Sequence, residues 1–213
     1  YTDSDGLPKP AKDASSSFWD CGNVNYFGKH IMTTQNDETA LGQGSSVKME
    51  TQETMKIIAA GNIFTGTFER DGMGGILTLG RNFECRPNKL KGYYKYTSAK
   101  VSVSKGHLNE GEDDLCSLYI ALTDEQITVN TNKGIYFDPN SSAVIAYGSI
   151  SDEESKGADS FKEFTVDLEY KDLKRIPKYI IVVASSSKYG DYMEGGKGST
   201  MWLDDLELVY PKS

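Results

Sequence analysis

Histidine is almost missing from this chain: His30 and His107 are the only two in 213 residues. Mechanisms that set a histidine base beside a serine or cysteine nucleophile have little to draw on. No G-x-S-x-G elbow and no H-E-x-x-H metal pair occurs either. Cysteine is scarce, and Cys21, Cys85 and Cys116 show no metal-ligand spacing. They read as three small buried hydrophobes, with one disulfide plus a free thiol as the alternative. Positive charge is short: 23 Lys and Arg against 31 Asp and Glu leave a net charge of −8. That balance repels a phosphate backbone, and no basic stripe offsets it, so nucleic acid is not an expected partner. Long apolar runs are absent. Tyr179 to Ala184 is among the longest, far below the roughly 20 residues of a membrane helix. No signal peptide stands at the start, and a chain beginning at Tyr1 without Met reads as a trimmed or mature fragment.

Aromatic residues are what the chain does have, at 11%, including 13 tyrosines. Its length allows one generous domain or two small ones. Area scaling buries about 70% of the extended-chain surface, enough for a core without metal or disulfide staples. Residues 1–16 carry two prolines, small polar side chains and no apolar periodicity, and are expected to be a tether. The Asp3-Ser4-Asp5-Gly6 start of a calcium loop lacks the later ligands. From Phe18 onward the period is two. Phe64 to Glu69 and Ile76 to Leu79 flank a Gly-rich turn, and Phe161 to Leu168 alternates almost perfectly. Tyr179 to Ala184 is continuous, as in a strand covered on both faces. About ten strands, no long helix and no fixed repeat point to an all-β fold. The expected architecture is one antiparallel β-sandwich of the jelly-roll kind over residues 17–213.

Chemistry without histidine leaves carboxylates and aromatic faces. A two-carboxylate glycosidase needs acids about 5–9 Å apart across a cleft, and Asp114 and Asp205 are the first choices for it. Asp204 and Asp205 sit in the last apolar strand, where one of them is expected to face inward. A calcium ion held there by Asp205, with Asp20 from the first strand, is one way to satisfy such a pair. Aromatic rings stack on sugar C–H faces while polar side chains bond the hydroxyls. Tyr189 and Tyr192 bracket Asp191 in a Gly-rich loop that runs to Ser199, lacks phosphate-loop spacing and is expected to be flexible. With Trp19 and Tyr94 as further platforms, and Asn23, Arg86, Lys188 and Asp191 as hydrogen-bonding groups, they form the candidate carbohydrate site.

Four phrases in order carry a resemblance: Ala60 to Phe68, Arg86 to Tyr96, Ser185 to Asp191, and Leu203 to Leu208. Together with Phe18-Trp19-Asp20-Cys21-Gly22-Asn23, they resemble the PCMD family, the "putative carbohydrate metabolism domain" of surface and periplasmic proteins from gut Bacteroidetes. The resemblance implies a galactose-binding-like jelly roll similar to carbohydrate-binding modules. It also implies a protein exported to the cell surface or periplasm, lipid-anchored in its precursor, with other domains N-terminal to this one. Some members are labelled glycoside hydrolases, and the family supplies no established catalytic residues. A noncatalytic module for poly- or oligosaccharides is the leading expectation. A glycoside hydrolase and a structural or adhesive module are the alternatives.

Overall fold

The computed structural model describes residues 2–4, 7–10, 17–25 and 28–211. Among the described residues nearly all regular structure is strand, and helix is limited to three single 3-10 turns. All pairings between neighbouring strands are antiparallel, as expected for a jelly-roll sandwich. One sheet has five strands in the order Ala158–Asp167, Lys89–Thr97, Thr200–Val209, Ser46–Glu50 and Thr33–Asn36. The facing sheet has nine. Its main path runs Ile127–Asn130, Gly74–Leu79, Asn62–Asp71, Tyr179–Ser185, Ser117–Thr123, Val144–Ser149 and Glu169–Tyr170. Trp19–Asp20 and Arg81–Asn82 add to its flanks.

Alternation decides which side chains meet between the sheets. Leu118, Ile120 and Leu122, with Ile180, Val182 and Ala184, point inward from the larger sheet. Leu90, Tyr94, Tyr96, Phe164, Val166, Met201 and Leu203 answer from the smaller one. Gly92 interrupts that row for a reason: a Cβ there would lie 2.8 Å from Leu206 Cδ2 and 3.0 Å from the Phe164 ring. The opposite face of the larger sheet holds a second apolar cluster of Phe64, Leu77, Leu79, Ala121, Val129 and Ile181. The continuous run from Tyr179 to Ala184 is thus covered on both faces, as its composition implied.

The second cluster exists because one strand changes partner. Asn62 to Phe64 pairs with Val183 to Ser185, but from Gly66 onward the chain pairs with Gly74–Leu79 instead. Gly66 has φ 153°, and a Cβ would lie 2.3 Å from Thr78 O. Thr65 closes the gap left in the ladder. Its hydroxyl donates to Ile180 O at 2.9 Å and accepts from Val182 N at 3.0 Å. Thr65→Val is expected to leave both backbone groups unpaired and to cost about 1–3 kcal/mol in urea unfolding. The 66–79 hairpin then adds Leu77 and Leu79 to the second cluster on the outer face.

Two expectations at the sandwich ends change on inspection. Leu7–Lys9 forms a strand with Thr2–Ser4, and Lys9 Nζ binds Asp20 Oδ1 at 2.8 Å and Cys21 O at 2.9 Å. Part of the expected tether is therefore fastened to the domain, because Lys9 reaches the Asp20 carboxylate and the Cys21 carbonyl. Residues 1, 5, 6 and 11–16 lie outside the described residues. At the other end, Asp204 faces inward, its Oδ2 accepting from Ala40 N at 2.8 Å. A bulge opposite Lys91 to Tyr93 breaks the alternation there and puts Asp205, at φ 47°, on the surface. The three cysteines are unpaired; Cys21 and Cys116 are buried, and Cys85 is exposed. No helix among the described residues is long and apolar enough to cross a membrane.

Candidate functional site

After Ser185 the chain leaves the sheet and enters a polar anchor. Ser186 N bonds Gly61 O at 2.8 Å, and Thr51 Oγ1 lies 2.7 and 2.6 Å from the Ser186 and Ser187 hydroxyls. Asp114 holds the loop from below. Its wholly buried carboxylate accepts from Ser187 Oγ at 2.6 Å, Gly196 N at 2.8 Å and Leu115 N at 2.8 Å. Burial pushes its pKa up, and these donors oppose the shift. The glycines expected to make this loop flexible instead let it pack. A Cβ on Gly196 would lie 2.7 Å from Lys100 O, and one on Gly190 would lie 2.3 Å from the Ala60 Cβ. Gly195 exchanges backbone hydrogen bonds with Ser102 and Val103.

A second buried acid fixes the neighbouring loop. Glu194 accepts from Lys105 N at 2.8 Å, His107 N at 3.2 Å and Leu108 N at 2.5 Å, and meets His107 Nδ1 at 3.1 Å. Burial alone would raise its pKa, but the bonds from Leu108, His107 and Lys105 outweigh that and leave it lowered. The His107 ring is thereby laid on Tyr189, stacked with centroids 4.4 Å apart, and against Tyr192 at 4.3 Å. Tyr192 in turn packs on Tyr136 at 4.0 Å. Beside them Phe137 stacks on Tyr119 at 4.9 Å, with Tyr147 6.0 Å beyond. The result is an aromatic surface along the outer face of the larger sheet. Tyr189, Tyr192, Tyr136, Tyr119 and Tyr147 are half-buried, and His107 is exposed.

Asp191 sits among these rings, in the 3-10 turn Gly190–Tyr192. It opens on a small pit of about 50 Å³ whose polar lining is Asn62, Ser117, Tyr119, Ser185, Ser187 and Lys188. Among the described residues no hydrogen bond or ion pair reaches its carboxylate. Burial raises its pKa from 3.8 to about 6 with no donor to hold it down. Its charge is felt by its neighbours: after burial, Asp191 is the next cause raising the Tyr119 pKa, and it contributes to the rise at Tyr192. Lys188 does not compensate it, since its Nζ is held by Asp152 at 3.0 Å.

Of the residues expected to bind sugar, Lys188, Tyr189, Asp191 and Tyr192 are together here. The others are elsewhere, and all but Trp19 are held by their own partners. Tyr94 is a core residue whose hydroxyl donates to Glu154 O at 3.0 Å. Asn23 is buried and ties Pro8 O, Thr33 O, Met32 N and Thr33 N together. Arg86 lies over the Tyr170 ring and donates to Arg175 O. Trp19 is half-buried beside Phe18 at an edge of the sandwich. Asp20 is engaged by Lys9, Cys21 N and Phe68 N. Among the described residues no three His, Cys, Asp or Glu side chains converge as metal ligands. Sequence reading passed over Tyr119, Tyr136, Tyr147, His107 and Glu194. For Tyr119 a signal was present: in Leu118-Tyr119-Ile120 the tyrosine must face away from the leucine and isoleucine that enter the core.

Comparison with known proteins bears on this arrangement. Residues 7–209 match the model of the family described as "Putative carbohydrate metabolism domain", PCMD. The chain belongs to the PCMD family. No curated protein sequence matches it. Among solved structures, a protein from Bacteroides thetaiotaomicron described as a "putative glycoside hydrolase" superposes on 86% of the chain, with TM-score 0.68 and 25% identity. The PCMD domain spans 58% of the length of that protein. A second protein so described, from Bacteroides vulgatus, superposes on 84% of the chain at TM-score 0.66 and 24% identity; 77% of its own length is covered. It shares the fold. The PCMD domain is thus a carbohydrate-related β-sandwich domain.

Proposed function

We propose that this domain is a noncatalytic glycan-binding module and that sugar rings lie on the surface made by Tyr189, Tyr192, Tyr136 and His107. The observation that carries the reading is the side-by-side placement of this accessible ring surface and a polar pit lined by a single carboxylate. Rings supply faces for sugar C–H groups, and the pit supplies hydrogen-bonding groups at one edge. The two loops that carry the rings are pinned by buried acids, so little order has to be gained on binding. Each site binds weakly on its own, and neighbouring modules of the same envelope protein raise the avidity. The export to the cell surface or periplasm and the N-terminal domains belong to the same proposal.

Tyr192→Ala removes the ring that joins His107 to Tyr136. In affinity-gel electrophoresis over a polysaccharide panel, the intact domain is expected to be retarded by at least one polysaccharide, and Tyr192→Ala to lose about 10-fold or more in affinity. Equal retardation of the two proteins would remove the ring surface from the site.

One observation favours a second reading, a glycoside hydrolase. Asp191, with a pKa raised to about 6, has the property of a general acid. Against it, both glycosidase geometries need a second carboxylate across the cleft, and no other acid is among the residues lining the pit. Asp114 and Glu194 are each enclosed by their own donors, and Asp205 is on the surface of the other sheet. Reducing-end release from the retained polysaccharide, abolished in Asp191→Asn, would favour the hydrolase.

A further inference from the structure

The pit beside Tyr189 and Tyr192 is too small for a sugar ring. At about 50 Å³ it admits one projecting substituent of a ligand whose rings lie on the aromatic surface. What that substituent is follows from what the pit leaves unsatisfied. The Asp191 carboxylate can only accept, and nothing among the described residues donates to it. Ser117 also lines the pit.

The charged and titratable groups around Asp191 do not neutralise it. Tyr119, from the Ser117–Thr123 strand, and Tyr192 are neutral, with their pKa values raised by burial and in part by Asp191 itself. Tyr136 and Tyr189 pack their rings against Tyr192. Lys188 is paired with Asp152, and His107 with Glu194. A half-buried carboxylate with no counter-charge beside it, in a pit walled by Phe64, Leu77, Leu79, Tyr119 and Val183, is complemented best by a cation that carries several N–H donors. A neutral hydroxymethyl group could donate one hydrogen bond to Asp191 but would leave the charge uncompensated. A protonated amine supplies the charge and donates to Asp191. The net charge of −8 adds a long-range attraction of the same sign.

We infer that this pit selects glycans bearing a free, protonated amino group, so that the domain prefers amino-sugar units over their N-acetylated and hydroxyl counterparts. This rests on the glycan-binding reading and adds its ligand class. Acetylation removes the charge and all but one of the N–H donors that Asp191 accepts from.

The test is isothermal titration of the 213-residue domain with β-1,4-linked oligomers of glucosamine, N-acetylglucosamine and glucose, from pH 5 to 8. At pH 7 the glucosamine oligomer is expected to bind about 10- to 100-fold more tightly than the other two. The preference should fade as the pH falls through about 6, where Asp191 takes up a proton. Asp191→Asn should abolish the preference for the glucosamine oligomer. Equal affinity for all three oligomers, or a preference that survives Asp191→Asn, would overturn the amino-sugar inference and leave glycan binding standing. No binding by any glycan on a broad polysaccharide panel would overturn both.

Discussion

Asp191→Asn is expected to make the protein more stable above pH 6, by at most about 3 kcal/mol because the carboxylate is only half-buried. The folded carboxyl has its pKa raised from 3.8 to about 6 by burial. Between those values the folded state holds a proton that the unfolded state has released. Stability contributed by this group therefore falls as the pH rises from about 4 to 6, and the full cost is present above 6. Asparagine keeps the shape and has no charge to desolvate. For a chain of this length the melting temperature should rise by at most roughly 6–12 °C at pH 7.5, and the gain should vanish near pH 4. Calorimetry at a series of pH values reads both features. A variant no more stable than the parent at pH 7.5 would mean that Asp191 is solvated or paired after all. A half-buried carboxylate with no protein donor is a cost that folding alone does not explain, which is why binding is assigned to it.

Asp114→Ala should act in the opposite direction. This carboxylate is wholly buried, and the Ser187 hydroxyl, Gly196 N and Leu115 N all depend on it. Removing it leaves those donors unpaired in a region that also holds the buried Tyr96 hydroxyl, bonded to Ser186 O at 3.1 Å. The expected loss is about 3–5 kcal/mol, among the largest a single substitution produces. It should be accompanied by loss of glycan retention, because the same bonds position the turn that bears Tyr189 and Tyr192. Urea unfolding and the affinity gel test the two parts separately. A variant that keeps its stability would show that the serine and threonine hydroxyls hold the loop without the acid. The pair makes a general point about buried acids: the count of donors, not the burial, decides whether a carboxylate holds the fold or strains it.

Much of the architecture was legible from period two alone. The alternation in Phe161 to Leu168 assigns Phe164 and Val166 to the core, and the unbroken run at Tyr179 to Ala184 announces two covered faces. The bulge at Asp205 was not legible, because it depends on a register shift against a strand more than 100 residues away. The site was half legible. Tyr189, Asp191 and Tyr192 stand together in sequence, so local reasoning found them. Tyr119, Tyr136 and His107 come from three distant segments, and only the fold brings them to the same face. Tyr94 shows the converse failure. A tyrosine in a Tyr-rich phrase looks like a sugar platform, whereas the pleat sends it into the core and its hydroxyl to Glu154 O. The glycines of 190–198 misled for a related reason. Glycine marks close backbone approach as often as freedom, and the neighbours that make the difference are not local.

The central claim is that ligand meets this domain on the outer face of the larger sheet, at Tyr136, Tyr189, Asp191 and Tyr192. Amide and aromatic NMR shifts of the labelled domain, recorded during titration with a polysaccharide retained in the affinity gel, test it most directly. The expected result is a single cluster of shifted resonances from His107, Tyr136 and residues 188–194, saturating together. Shifts that cluster instead around Trp19 and Leu206, at the edge of the sandwich, with residues 188–194 unmoved, would contradict it.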